Sequence, residues 1–340
     1  ASKAFQLKRG NKRGLIIKFA RGFGMRLFRD DVQEEEALLH AMIGDVTYLR
    51  EYVAQTLFSA AGVPAATGYH VRTYLNGGDY GLHYLMERVN EDFVEKHGLP
   101  QPGGIIKPED AKGLDPRKCV VQWESSGVKT MDALARLFRA MTPLPRRNPT
   151  TLSNRQTAVL HLLDTTAIVK YLAVNVILQQ QAALDNYFFG YLDAGTGRWL
   201  MLPSFHEKIL GWRPNGINVN DQRVTPFFGS RAQRPAGKVS VLNDALFWPN
   251  SGAGAEYTAA FRAEQLNVIS TIVSRVLLSG DLAAAVTNTA AAIEHEAVRD
   301  WQRVQPGVDA RARYTAAVAD LIAFLQARAA YLRQHDADWR

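Results

Sequence analysis

Apolar positions near the start of the chain come in short runs and alternations. Leu15 to Phe19 carries a single charge and predicts a strand. Asp45 precedes Val46, Leu49, Val53 and Leu57, which recur on one helical face, and Gly62 then Pro64 stop that helix. Tyr69, Val71, Thr73 and Leu75 alternate with His70, Arg72 and Tyr74. Asn76-Gly77-Gly78-Asp79 supplies a turn, and Tyr80, Leu82, Tyr84 and Met86 return, which predicts a hairpin.

Beyond residue 100 the pattern changes. Residues 100–154 are rich in Pro and Gly, hold one short helix around Met131 to Met141, and read as a linker or insertion. Asp164 to Gln180 is apolar nearly all round, the mark of a buried central helix. Two strands follow, Tyr187 to Leu192 and Arg198 to Leu202, with residues 193–197 as their turn. After a loop over 203–244, helices are expected at 256–278, 282–303 and 309–335. The order predicts an α+β, two-lobed protein-kinase-like fold. Its small sheet-plus-helix N-lobe spans residues 1–100, the linker 101–154, and a larger, mainly helical C-lobe 155–340.

Composition narrows the class. With 340 residues, 47% hydrophobic and 21% charged, the chain has the make-up of a globular protein. The run Ala167 to Leu178 is broken by Lys170 and Asn175 and is too short to span a bilayer. No secretory pattern opens the chain, yet it begins at Ala1 without Met, so trimming and compartment stay open, cytoplasmic or secreted. Cys119 is the only cysteine and reads as a packed thiol. The net charge of +7 and the cluster Lys8, Arg9, Lys12, Arg13, Lys18, Arg21 and Arg26 favour phosphate-rich or acidic partners. No zinc-finger, helix-turn-helix or aromatic RNA-binding pattern accompanies it, which disfavours nucleic acid.

Several segments, in order, resemble the CotH kinase family of atypical kinases, named for a spore-coat protein. They include Arg9-Gly10-Asn11 with Ile16 to Phe19, Asp45 to Glu51, Ala61 to Ala65, Leu75-Asn76-Gly77, Tyr80-Gly81-Leu82 and Glu87 to Phe93. Lys170 to Asn175, Asp185 to Phe188, Trp199 to Pro203 and Phe228 to Arg231 continue the series. The resemblance implies ATP and magnesium as cofactors and a protein substrate or partner. It implies that Lys18 contacts phosphate and that Glu51 holds Lys18 as an ion pair. The stretch from Arg9 to Gly14 would approach phosphates by its backbone, and Met86, Glu87 and Val89 would form the hinge beside adenine. Asn186 would bind magnesium.

Two departures from the family pattern weaken the catalytic reading. Where the family has an Asp acting on the nucleophile, this chain offers Gln181, with Asp185 next to Asn186. After the Leu-Pro step, where the family typically reads Pro-Trp-Asp-x-Asp, the chain reads Pro203-Ser204-Phe205-His206-Glu207-Lys208. Phe205 replaces the first carboxylate and Glu207 the second. His206 and Glu207 are neighbours in sequence and would face opposite ways on a strand, which argues against joint ligation. Two functions remain open: a pseudokinase that binds ATP and a protein partner, and an active Ser/Thr kinase using a modified metal site.

Overall fold

The chain's structure is a computed structural model, described over residues 12–20, 22–28, 33–109, 115–141, 158–180, 188–207, 209–213, 216–217 and 254–339. The hairpin forms where its pattern predicts: β3 is Gly68–Leu75 and β4 is Gly78–Glu87. Asn76 and Gly77 make the two-residue loop, both at positive φ, 51° and 78°. That geometry matches the twist of the flanking strands and suits Asn-Gly above other pairs. β1 (Leu15–Lys18) and β2 (Glu36–His40) complete an antiparallel sheet in the order β1-β2-β4-β3.

β2 follows Glu34 and Glu35 and opens on Glu36, an acidic run without the alternation that marks a strand in sequence. Its two faces have different tasks. Ala37 and Leu39 join Leu85 in a small core covered by Leu15, Ile17, Leu27 and Phe28. Leu38 and His40 point the other way, toward the main body of the protein.

A second antiparallel sheet has the order β6-β5-β7-β8. Its strands are β5 (Gly103–Pro108), β6 (Cys119–Glu124), β7 (Phe188–Asp193) and β8 (Arg198–Pro203). The stretch read as a linker therefore supplies two of these four strands, and β5 lies inside the sheet. The helix expected there is α3 (Thr130–Met141), which follows the short α2 (Glu91–Lys96). Cys119 is buried, and burial pushes its thiol up to about 11, well out of the nucleophilic range.

α1 (Arg50–Ala60) and α4 (Thr165–Leu178) run through the main core. Asp164 caps α4 by accepting from Ala167 N at 3.0 Å, and Gln179 ends it in the left-handed region. From Tyr171 to Leu178 every α4 residue is buried, as an all-round apolar helix requires. Fully burying each leucine or isoleucine contributes about 1.5–3 kcal/mol. The C-terminal helices are α5 (Gly254–Ile272), α6 (Asp281–Val304) and α7 (Ala310–Gln334). α7 has the length and apolarity of a membrane span, but Leu321, Phe324, Leu325 and Leu332 are packed in the main core.

One polar knot ties α6 to the first sheet. Asp300 accepts from the Lys12 ammonium, from Tyr48 Oη at 2.6 Å and from the Arg303 guanidinium. Lys12 also donates to the Leu82 carbonyl and lies 4.8 Å from the Tyr48 ring centre. Lys12, a member of the basic N-terminal cluster, is thus buried and committed within the protein.

Candidate functional site between the two sheets

Local geometry between β2 and α1 is set by Asp45. Its carboxylate accepts from Thr47 N at 3.0 Å, Thr47 Oγ1 at 2.7 Å and Arg50 N at 2.8 Å, and it pairs with the Arg50 guanidinium. It therefore organises the turn ahead of the helix and satisfies one of the free N–H groups of the first helical turn. Glu51 consequently points inward and is fully buried.

Glu51 meets the segment that follows β8. His206 N donates to Glu51 Oε2 at 2.6 Å, Gln55 Nε2 donates to Oε1 at 2.7 Å, and His206 Nδ1 lies 3.5 Å from Oε1. The next residue, Glu207, turns to β2 instead: its Oε1 is 2.6 Å from His40 Nε2, and its Oε2 accepts from Gly44 N at 3.0 Å. His40 Nδ1 closes the cluster at 4.0 Å from Glu51. Two buried histidines and two carboxylates thus join β2, α1 and the strand exit.

Burial works against a charged His40, yet Glu207 and then Glu51 hold its imidazolium, so its pKa lies above the usual 6.5. Burial alone would raise Glu51, but the His206 hydrogen bond and the nearby imidazoles keep it below the usual 4.5. A raised histidine stabilises fully below its unfolded pKa and loses that contribution as pH climbs through the folded value. A lowered carboxyl stabilises above its unfolded pKa and loses it as pH falls through the folded value. The two contributions overlap between about pH 4.5 and 6.5. The stability gap between this chain and a His40→Gln variant is therefore expected to be widest in that window and to shrink toward pH 9. Urea midpoints across that range measure it, and a gap that does not change with pH contradicts the assignment.

Phe205 stands between the sheets. Its ring centre is 5.0 Å from the His40 ring, and Lys107 of β5 places its ammonium 4.3 Å from that centre and 5.0 Å from the Phe189 ring. Lys107 is half-buried, and desolvation together with the charge of Arg88 brings its amine down to about 8. Arg88, just past β4, pairs with Glu36, which also pairs with Lys18 directly across β1 and β2. On the same side chain row Ile16 opposes Leu38, and Leu38 opposes Met86.

The residues expected from sequence divide three ways. Glu51 is in the cluster, but Lys18 is not its partner: Lys18 is 67% exposed and bound to Glu36. The strand entering α1 is β2 rather than β1, so His40 takes the place beside Glu51. Glu207 is present and already held by His40 and Gly44. Met86 and Val89 are core residues, and Glu87 is a buried acceptor for Thr67 N at 2.9 Å, paired with Lys96 at 3.1 Å and His97 at 3.0 Å. Arg9, Gln181, Asp185 and Asn186 lie outside the described residues. His40, Arg88 and Lys107 were not singled out by sequence. The only signal for Lys107 was Ile105-Ile106-Lys107, which repeats the Ile-Ile-Lys of β1.

Among the described residues, this site offers magnesium few ligands. Phe205 has no oxygen, and both Glu207 oxygens already have partners. Among the described residues no group of three or more His, Cys, Asp or Glu side chains is arranged to hold a metal ion.

Two antiparallel sheets, the helix order and a polar cluster between the sheets define a mixed α+β protein compatible with a kinase-like fold. The family model described as CotH kinase protein matches residues 2–332, nearly the whole chain, and the chain belongs to that family. No curated protein matches it. Family membership carries ATP and metal use as general properties of kinase-like proteins.

Proposed function

We propose that this chain is a nucleotide-binding pseudokinase: a two-lobed, kinase-like scaffold that takes up ATP, engages a protein partner and transfers phosphate very slowly or not at all. The observation that carries this reading is the strand exit after β8. Phosphoryl transfer depends on metal-held charge and a positioned nucleophile, with little other chemistry for the protein to supply. By the family resemblance Phe205 stands where a metal-binding carboxylate is expected, and Glu207 is engaged with His40 and Gly44 N.

The features that support nucleotide binding are separate from that defect. Ile16, Leu38 and Met86 form an apolar row against which a base can lie, with Ile16 still 45% exposed. Lys18, Arg88 and Lys107 bring three cations to the same region, where Glu36 pairs with the first two. The partner is most simply a protein with an acidic surface, given the net charge of +7. Incubation with γ-labelled ATP in magnesium or manganese, with the chain itself and an acidic protein as acceptors, tests the reading. No label above a heat-inactivated control is expected. Incorporation that depends on native protein contradicts it.

A further inference from the structure

Lys107 is the least expected member of the site. An ammonium drawn partly out of water is costly unless a counter-charge meets it, and Lys107 is half-buried. Lys107 makes no ion pair among the described residues; its recorded contacts are the Phe205 and Phe189 rings, at 4.3 and 5.0 Å. Such cation–π contacts are worth about 2 kcal/mol when desolvated, less than a full ion pair. Glu109 and Glu51 are the carboxylates that act on it, but from a distance, while Arg88 repels it. Arg88 and Lys18 share one carboxylate, Glu36. Of the three cations here, Lys18 and Arg88 are paired with Glu36, and among the described residues Lys107 alone makes no ion pair.

The position of this charge is informative. Lys107 is seated on the ring of Phe205, the residue that replaces a metal-binding carboxylate. A side chain without oxygen repels no phosphate, and its face holds an ammonium where an Asp would have held an ion.

We propose that this site binds the phosphates of a nucleotide without a divalent metal, with the Lys107 ammonium, held on the Phe205 ring, supplying the charge the ion would have supplied. The inference rests on the nucleotide-binding reading above. It assigns Lys107 as a binding residue, and it explains why the lysine seated on Phe205 has no ion pair among the described residues. A lysine suits the role because its ammonium is a compact point charge able to follow phosphate oxygens.

Calorimetric titration with ATP, once in EDTA and once in magnesium, tests the proposal on the full chain and on Lys107→Met and Lys107→Arg variants. The expected result is binding in EDTA at least as tight as in magnesium. Lys107→Met should weaken it by roughly ten- to a hundredfold, the loss of one charge-assisted contact. Lys107→Arg should stay within about threefold, because the charge over the ring is kept; since it preserves the cation, it also controls for damage to the fold. Binding that appears only with magnesium overturns the metal-free site while leaving nucleotide binding intact. Equal binding by Lys107→Met in EDTA overturns the role of Lys107. Absence of ATP binding by the unaltered chain in both buffers overturns the inference together with the reading it rests on.

Discussion

Replacing Glu51 by alanine is expected to destabilise the protein by about 3–5 kcal/mol, the usual cost of removing one partner from a buried charged pair. The carboxylate is fully buried and accepts from His206 N at 2.6 Å and Gln55 Nε2 at 2.7 Å. Alanine leaves both donors without an acceptor and leaves the His40 imidazolium with Glu207 alone. A backbone N–H stranded in the interior costs about 1–3 kcal/mol by itself. Glu51→Gln separates charge from hydrogen bonding, because its amide oxygen can still accept from His206 N. It should lose clearly less than alanine does. Urea unfolding near pH 6 measures both. A Glu51→Ala protein within about 1 kcal/mol of the parent contradicts a structural role for this cluster.

The second large effect is expected at Asp300. This α6 carboxylate is the shared acceptor for Lys12, Tyr48 and Arg303. Burial raises its pKa, but the Lys12 charge and these hydrogen bonds outweigh that and hold the group below its usual range. Asp300→Ala leaves the Lys12 ammonium inside the protein with the Leu82 carbonyl and the Tyr48 ring as its recorded contacts. The expected loss is again about 3–5 kcal/mol. Lys12→Met combined with Asp300→Leu should recover most of it, since replacing a whole buried pair by apolar groups is often neutral or stabilising. A double variant no more stable than Asp300→Ala contradicts the assignment of the loss to the stranded lysine.

Both predictions concern contacts between residues far apart in the chain, and such contacts mark the limit of what the sequence revealed. The hairpin was legible because Asn76-Gly77 and the alternation on either side are local signals. α4 was legible because an all-round apolar run of helical length has few other solutions. The two strands after it and the C-terminal helices follow for similar reasons, though α5 ends in a π-helical turn at Val273–Leu277 that no pattern announced.

β5 was hidden by its own glycines. A Cβ on Gly103 would sit 2.2 Å from Tyr191 Oη, and one on Gly104 would sit 2.1 Å from Thr130 Oγ1. Glycine is needed there for close packing inside the protein, whereas next to Pro100 and Pro102 it reads as a loop. With β5 went Lys107. The candidate site was half legible in the same sense. Glu51, Phe205 and Glu207 could be picked out from the sequence, but which side chains they meet depends on register and tertiary contact. Lys18 and His40 lie on adjacent strands, and only the pairing of β1 with β2 shows that His40 faces Glu51 while Lys18 meets Glu36.

The most direct test is a nitrogen-15 NMR titration of the histidine side chains, comparing this chain with Glu207→Gln. The pseudokinase reading depends on a Glu207 carboxylate that is held by a protonated His40 and so withheld from a metal. His40 is expected to remain an imidazolium at pH values above 6.5, and Glu207→Gln to lower its titration midpoint. A His40 that titrates at its usual value in both proteins would show Glu207 to be free, and would return the metal-binding role to it.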